Sequence, residues 1–210
     1  MISATVESPT TEEQLLANGN APTEELADAS ATCEISSLSV LRILIAIDGS
    51  AQAQAALHLG AQLTAAGKAA VRPTILTVAA SRSGRAKGET ILAEALAAWP
   101  PDLPAPQGSV GVGRIAEAVA QAATTGKHDL VMIGDGGANR LMSLFLGSTV
   151  LDVAERVPCS VIVARGAGRP LRRILLCDSG AHSPSLSHHF LRQLKPVLAP
   201  DTAVTVLHVM

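Results

Sequence analysis

The sequence predicts an α/β fold, an open, doubly wound parallel sheet with helices on both faces. From Leu41 onward, short runs rich in Ile, Val and Leu alternate with Ala-rich stretches of helical composition. That alternation gives a parallel sheet covered by helices. Apolar residues make up 48% of the 210-residue chain, yet 36 of them are alanines and only Trp99, Phe145 and Phe190 are aromatic. Such a core rests on Ile, Val and Leu strands, with Ala letting the helices approach closely. Parallel neighbours require right-handed crossovers, which winds this succession into an open sheet.

Strands are expected at residues 42–47, 71–78, 108–112 and 129–133 and from Cys159 to Ala164, with helices between them at 51–66, 85–99, 114–124 and 148–156. Local punctuation supports the boundaries. Gly67 and Gly126 follow helical patterns as C-cap glycines would, and Pro100-Pro101 forbids continuation of the second helix. Residues 100–107, with four prolines, read as a stiff surface connection. Cys159 and Cys177 fall within strands, where a buried thiol acts as a small hydrophobe.

The alternation does not cover the whole chain. Residues 1–38 are rich in Ser, Thr, Ala and Glu and carry no sustained period, so they read as a disordered acidic tail. A complete domain spans 39–166 and a linker 167–171. Residues 172–210 then restart the pattern: the run Arg173 to Asp178 echoes Arg42 to Asp48, and Val204 to Val209 echoes Thr74 to Val78, in the same order with a helical stretch between. A partial second copy, strand-helix-strand, is expected, as a truncated tandem or one whose final strands borrow a partner's edge.

Charge argues against nucleic acid and membrane as partners. Lys plus Arg total 16 against 18 Asp plus Glu, for a net charge of -2. Seven of the acids precede residue 41 with no Lys or Arg among them, so the body has 16 basic against 11 acidic residues. Mild positive charge of this kind is no basic footprint, and single-strand platforms need aromatics that are absent. Three cysteines without metal-like spacing suit a reducing cytoplasm. No stretch reads as a secretory signal or reaches the roughly 20 apolar residues of a membrane span.

The segment from Gly134 to Ser148 carries the chemistry. It runs from the end of an apolar strand, through a glycine-rich loop, to the start of a helix. Doubly wound sheets bind ligands beyond the carboxyl ends of their strands, where Asp48 and Gly134 both fall. Glycines let the backbone approach a phosphate, and a helix opening at Gly147, Ser148 and Thr149 offers free N–H groups and a favourable dipole. Asp48-Gly49 also reads as an N-cap for the helix beginning at Ala51, a duty that Ser50 could share.

With Gly134, two residues, Gly137, nine residues, Gly147 and then Ser148, the chain resembles the universal stress protein family in its nucleotide-binding branch. Ala46-Ile47-Asp48-Gly49-Ser50 looks like that family's first-strand signature, Gly113 falls where the family has a glycine, and residues 157–163 look like its last strand. The resemblance covers residues 41 to about 165 and implies a Rossmann-like sheet of the adenine nucleotide alpha hydrolase type. It implies ATP as ligand, with Asp48 near the ribose, Val78 against the adenine, and Gly134, Gly137, Gly147, Ser148 and Thr149 around the phosphates. Ala46 belongs to the same set, with Ile47, Met132, Asp135 and Arg140 as further candidates. It also implies a homodimer, or an intrachain pseudo-dimer, through the edge strand from Cys159 to Ala164.

Positions that hold basic residues in many ATP-binding members are here Ala138, Met142 and Ser143, leaving Arg140 as the loop's only cation. Asp135 adds a negative charge that repels triphosphate unless a divalent ion bridges the two. No dedicated metal site is read, so a Mg2+ accompanying ATP would lie near Asp48 or Asp135. No general base, P-loop lysine or other catalytic signature is present, which leaves no enzyme activity to expect. The leading expectation is a cytoplasmic stress protein that binds ATP as ligand or switch without efficient hydrolysis. The alternative is a dimeric interaction module of the same fold that binds no nucleotide.

Overall fold

The computed structural model describes residues 40–135, 148–166, 171–178, 186–199 and 201–208. Five strands, β1 (Leu41–Ile47), β2 (Val71–Ala79), β3 (Gln107–Val112), β4 (Leu130–Gly134) and β5 (Ser160–Ala164), form one sheet in the order β3-β2-β1-β4-β5. Every pairing in it is parallel. Between the strands run α1 (Ala51–Gly67), α2 (Arg85–Ala97), α3 (Ile115–Thr125) and α4 (Ser148–Arg156). Each element lies within two residues of its expected bounds, because apolar runs and Ala-rich stretches alternate without overlap.

The sheet buries both faces. In β1, Ile43 and Ile45 join a core shared with α1 and α2, whereas Leu44 joins another with Val119 of α3 and Val153 of α4. Small residues set the spacing. A Cβ at Gly60 would stand 2.3 Å from Ile45 Cδ1, so α1 lies closer to β1 than any other residue there would permit. Trp99, 6% exposed, follows α2 and donates its indole N–H to the Pro104 carbonyl at 3.2 Å, which ties the proline-rich connection to the core.

Gly126 is the C-cap of α3, as expected, whereas Lys68 and not Gly67 caps α1, and at neither glycine does the backbone need a left-handed φ. The left-handed residues are Lys68 (φ 48°) and Lys127 (φ 50°), one position later. Gly67 (φ -87°) and Gly126 (φ -79°) are helical. Close approach explains both: a Cβ would lie 2.5 Å from Val71 Cγ2 at Gly67 and 2.2 Å from the His128 ring at Gly126.

Beyond this domain, β6 (Arg173–Asp178) and β7 (Ala203–His208) form a separate two-stranded parallel sheet joined by α5 (Leu186–Leu194) and a 3₁₀ turn at Lys195–Val197. The strand-helix-strand expectation holds at the level of these elements. Leu194 (2% exposed) and Val197 (3%) complete the α1-side core, and Ser160 Oγ donates to Gln193 Oε1 at 2.9 Å. Among the described residues, β5 pairs with β4 and with neither β6 nor β7. An intrachain pseudo-dimer through β5 is therefore corrected: the contact runs through α5 and the 3₁₀ turn, where apolar side chains meet α1. Cys177 is exposed in β6, not buried as expected.

Candidate functional site

Strand order locates the site. The chain moves outward from β1 to β3 and then returns to lay β4 on the other flank of β1. Where that order reverses, the crossovers leave in opposite directions and a crevice opens at the carboxyl ends of β1 and β4. A cleft of about 220 Å³ lies there. Ala46, Ile47, Asp48, Val78, Gly134 and Thr149 all line it, as expected from the sequence. Ala46 and Ile133 are partners in the β1–β4 register, which brings the two strand ends side by side.

Other expected residues lie elsewhere. Met132 is fully buried in the α1-side core and is corrected to a packing residue. In a strand covered on both faces, Met132 and Ile133 point to opposite sides, and Ile133 is the one that reaches the cleft. Ser148 is the exposed first residue of α4, one position before Thr149. Gly137, Arg140 and Gly147, with Ala138, Met142 and Ser143, lie outside the described residues.

Two helix N-termini converge on the cleft. From α1 come Ser50, Gln52 and Ala53, and from α4 come Thr149 and Val150. Ser50, not Asp48, is the N-cap of α1: its Oγ accepts the Ala53 N–H at 3.1 Å. Asp48 instead accepts the Ser50 N–H on Oδ1 at 2.9 Å, closing an Asx turn that Gly49 (φ 81°) permits. Its side chain is exposed at the mouth of the cleft. Gly134 packs against the first turn of α1, and a Cβ there would stand 2.5 Å from the Gln52 carbonyl oxygen.

Electrostatics around Asp135 differ from expectation. Arg165 Nε donates to Asp135 Oδ2 at 2.8 Å. The pairing offsets the repulsion that Asp135 alone would exert; Asp48 and Asp135 each have one carboxylate oxygen engaged, by the Ser50 N–H and by Arg165. Gly134 and Ala164 are register partners, so the next residues, Asp135 and Arg165, emerge side by side. Ile115, Ile133, Val150 and Val153 supply apolar walls that sequence reasoning missed. Asp48 is the only charged side chain among the described residues lining the cleft.

This fold and cleft define a Rossmann-like α/β protein whose candidate ligand site lies at a topological switch point. The universal stress protein family profile matches residues 40–165, and the chain belongs to that family. A curated relative, the "universal stress protein in QAH/OAS sulfhydrylase 3′ region" of Thermus aquaticus, is 38% identical over 79 residues. That match covers 38% of this chain and 56% of the relative, so it spans about half of the relative's length. The structure of a universal stress protein from Archaeoglobus fulgidus shares 16% identity over 60% of this chain and 98% of its own, with a TM-score of 0.50, a likeness of fold. A universal stress protein in complex with cAMP shares 23% identity over 60% of this chain and 96% of its own, with a TM-score of 0.47.

Proposed function

We propose that this universal stress protein binds an adenine nucleotide, ATP by preference, in the cleft between β1 and β4, and uses it as a ligand or cytoplasmic switch without efficient hydrolysis. The observation that carries the reading is the convergence of Asp48, Val78, Gly134 and Thr149 on one cleft from four separate elements. Val78 and Ile115 offer apolar surface for a base, and the Asp48 carboxylate can accept ribose hydroxyls. The positive ends of α1 and α4 favour phosphate where no cation lines the described wall. Ser148 and Thr149 open α4, and the glycine spacing from Gly137 to Gly147 with Arg140, just before them in sequence, motivates the phosphate part of this reading.

Titration of the full chain with ATP, followed by thermal melting, tests this. Saturable stabilisation is expected, with Val78→Phe and Asp48→Ala each weakening it. No stabilisation by ATP, or equal stabilisation in both variants, overturns the assignment. One observation favours the second reading, a dimeric interaction module: among the described residues the outer edge of β5 has no strand partner. Light scattering decides it, since a monomer at micromolar concentration removes that reading.

A further inference from the structure

We infer that the opposite end of the sheet holds a second ligand site, for a small oxyanion of the phosphate class gripped between Arg42 and Arg72. A cleft of about 490 Å³ opens at the amino ends of β1, β2 and β3, remote along the strands from Asp48 and Gly134. Arg42 and Arg72 both line it and are direct partners in the β1–β2 register. Like charges placed opposite each other on neighbouring strands repel, and an unrelieved pair of this kind is destabilising.

Among the described residues, Asp129 beside Arg42 offsets that repulsion only in part. Neither guanidinium takes part in a salt bridge there. Asp129, the acid beside Arg42, uses Oδ2 to accept the Arg42 backbone N–H at 2.8 Å. Backbone carbonyls orient the arginines instead: Arg42 Nη1 donates to Gly126 O at 3.3 Å, and Arg72 Nη1 to Ala69 O at 3.2 Å. The remaining guanidinium donors are left for a ligand, in the planar arrangement that suits phosphate.

Neutral polar groups complete the site. Thr74 and Gln107 are register partners, and Leu76 is the partner of Ser109, so their side chains share the face that carries Arg72. His128 stands at the wall, its Nδ1 3.2 Å from the Ala122 carbonyl and its Nε2 3.1 Å from Thr74 Oγ1. The carbonyl can only accept, so Nδ1 carries the proton and the Thr74 hydroxyl donates to Nε2. A dianion between the arginines offsets their repulsion and favours the imidazolium form of His128. The charged groups at this end are Arg42, Arg72, Lys127 and Asp129; Arg42 opposes the imidazolium and Asp129 favours it, and a bound dianion acts in the same direction as Asp129.

The test uses the full chain and inorganic phosphate, read by imidazole NMR of His128 and by thermal melting, with sodium chloride at matched ionic strength as control. Phosphate should produce a saturable shift of the His128 resonances, raise its pKa and raise the melting temperature, while chloride does none of these. Arg72→Gln and Arg42→Gln, both at exposed positions, should each weaken the response by about tenfold or more. Val78→Phe, which fills the nucleotide cleft, should leave it intact. No saturable shift, an equal shift with chloride, or an undiminished response in both arginine variants overturns the proposal. Loss of the response in Val78→Phe also overturns it, by assigning the phosphate to the other end of the sheet.

Discussion

Gly134, the last residue of β4, lies against the backbone of Gln52 in the first turn of α1: a Cβ on it would stand 2.5 Å from the Gln52 carbonyl oxygen and 2.8 Å from the Ala53 nitrogen. Both atoms belong to main chain and cannot rotate aside. The glycine therefore lets the α1 N-terminus close over the crevice, whatever it also does for a phosphate. Gly134→Ala is expected to destabilise the protein by about 1–3 kcal/mol and to weaken nucleotide binding as α1 is pushed away. Chemical denaturation run beside an ATP titration checks both, and a fully stable variant would contradict the packing.

The caps of α1 separate stability from binding. Ser50→Ala removes the side chain that accepts the Ala53 N–H and should cost about 1 kcal/mol. Asp48→Ala removes an acceptor in an exposed turn, so its larger effect should fall on ATP affinity. Equal loss of ATP affinity in the two variants would reduce Asp48 to a turn residue.

Arg165→Gln frees the charge of Asp135, the residue after Gly134. Because Arg165 is largely exposed, stability should change by less than about 1 kcal/mol. ATP affinity should fall by roughly two- to fivefold, while adenosine, lacking phosphates, binds as before. Calorimetric titration of both ligands distinguishes this from a general loosening of the site.

Half-buried His128 contributes a pH dependence. Burial lowers its pKa below the usual 6.5, Arg42 acts in the same direction, and the Ala122 and Ala123 carbonyls and Asp129 oppose them in part. Below 6.5 the unfolded chain takes up a proton that the native ring resists, so its contribution to stability is present above 6.5 and is lost as pH falls toward the native pKa. Urea midpoints measured across this range should fall on acidification, less steeply in His128→Gln.

Leu194 tests whether the β6–α5–β7 segment is integral to the first domain. It is 2% exposed in the core that α1 shares. Leu194→Ala should cost about 2–5 kcal/mol and lower one common unfolding transition. A separate early transition, with the main one unmoved, would mean that the segment folds on its own account. We propose that this segment is a partial second copy of the domain, because β6 and β7 pair in parallel through an intervening helix as β1 and β2 do.

Much of this was legible because local composition is unambiguous. Runs such as Leu41–Ile47 and Val71–Ala79 flank the Ala-rich stretch from 51 to 66, so element type and order follow from the chain itself. Asp48, Val78 and Thr149 were recognisable as residues at strand or helix ends. The purposes of Gly67 and Gly126 were not, because a glycine that ends a helix and a glycine that admits a neighbour look alike until Val71, Val197 and His128 are in place.

By itself the sequence determined the parallel α/β class, the bounds of its elements and the end of the sheet where a ligand would lie, all of which depend on neighbours within a few residues. Only the tertiary structure decided that Ile133 and not Met132 faces the cleft, that Arg165 answers Asp135, and that Arg42 stands beside Arg72. These relations depend on strand register and on which face a helix covers. Both are set by packing between segments far apart in the chain, where no local pattern records the partner.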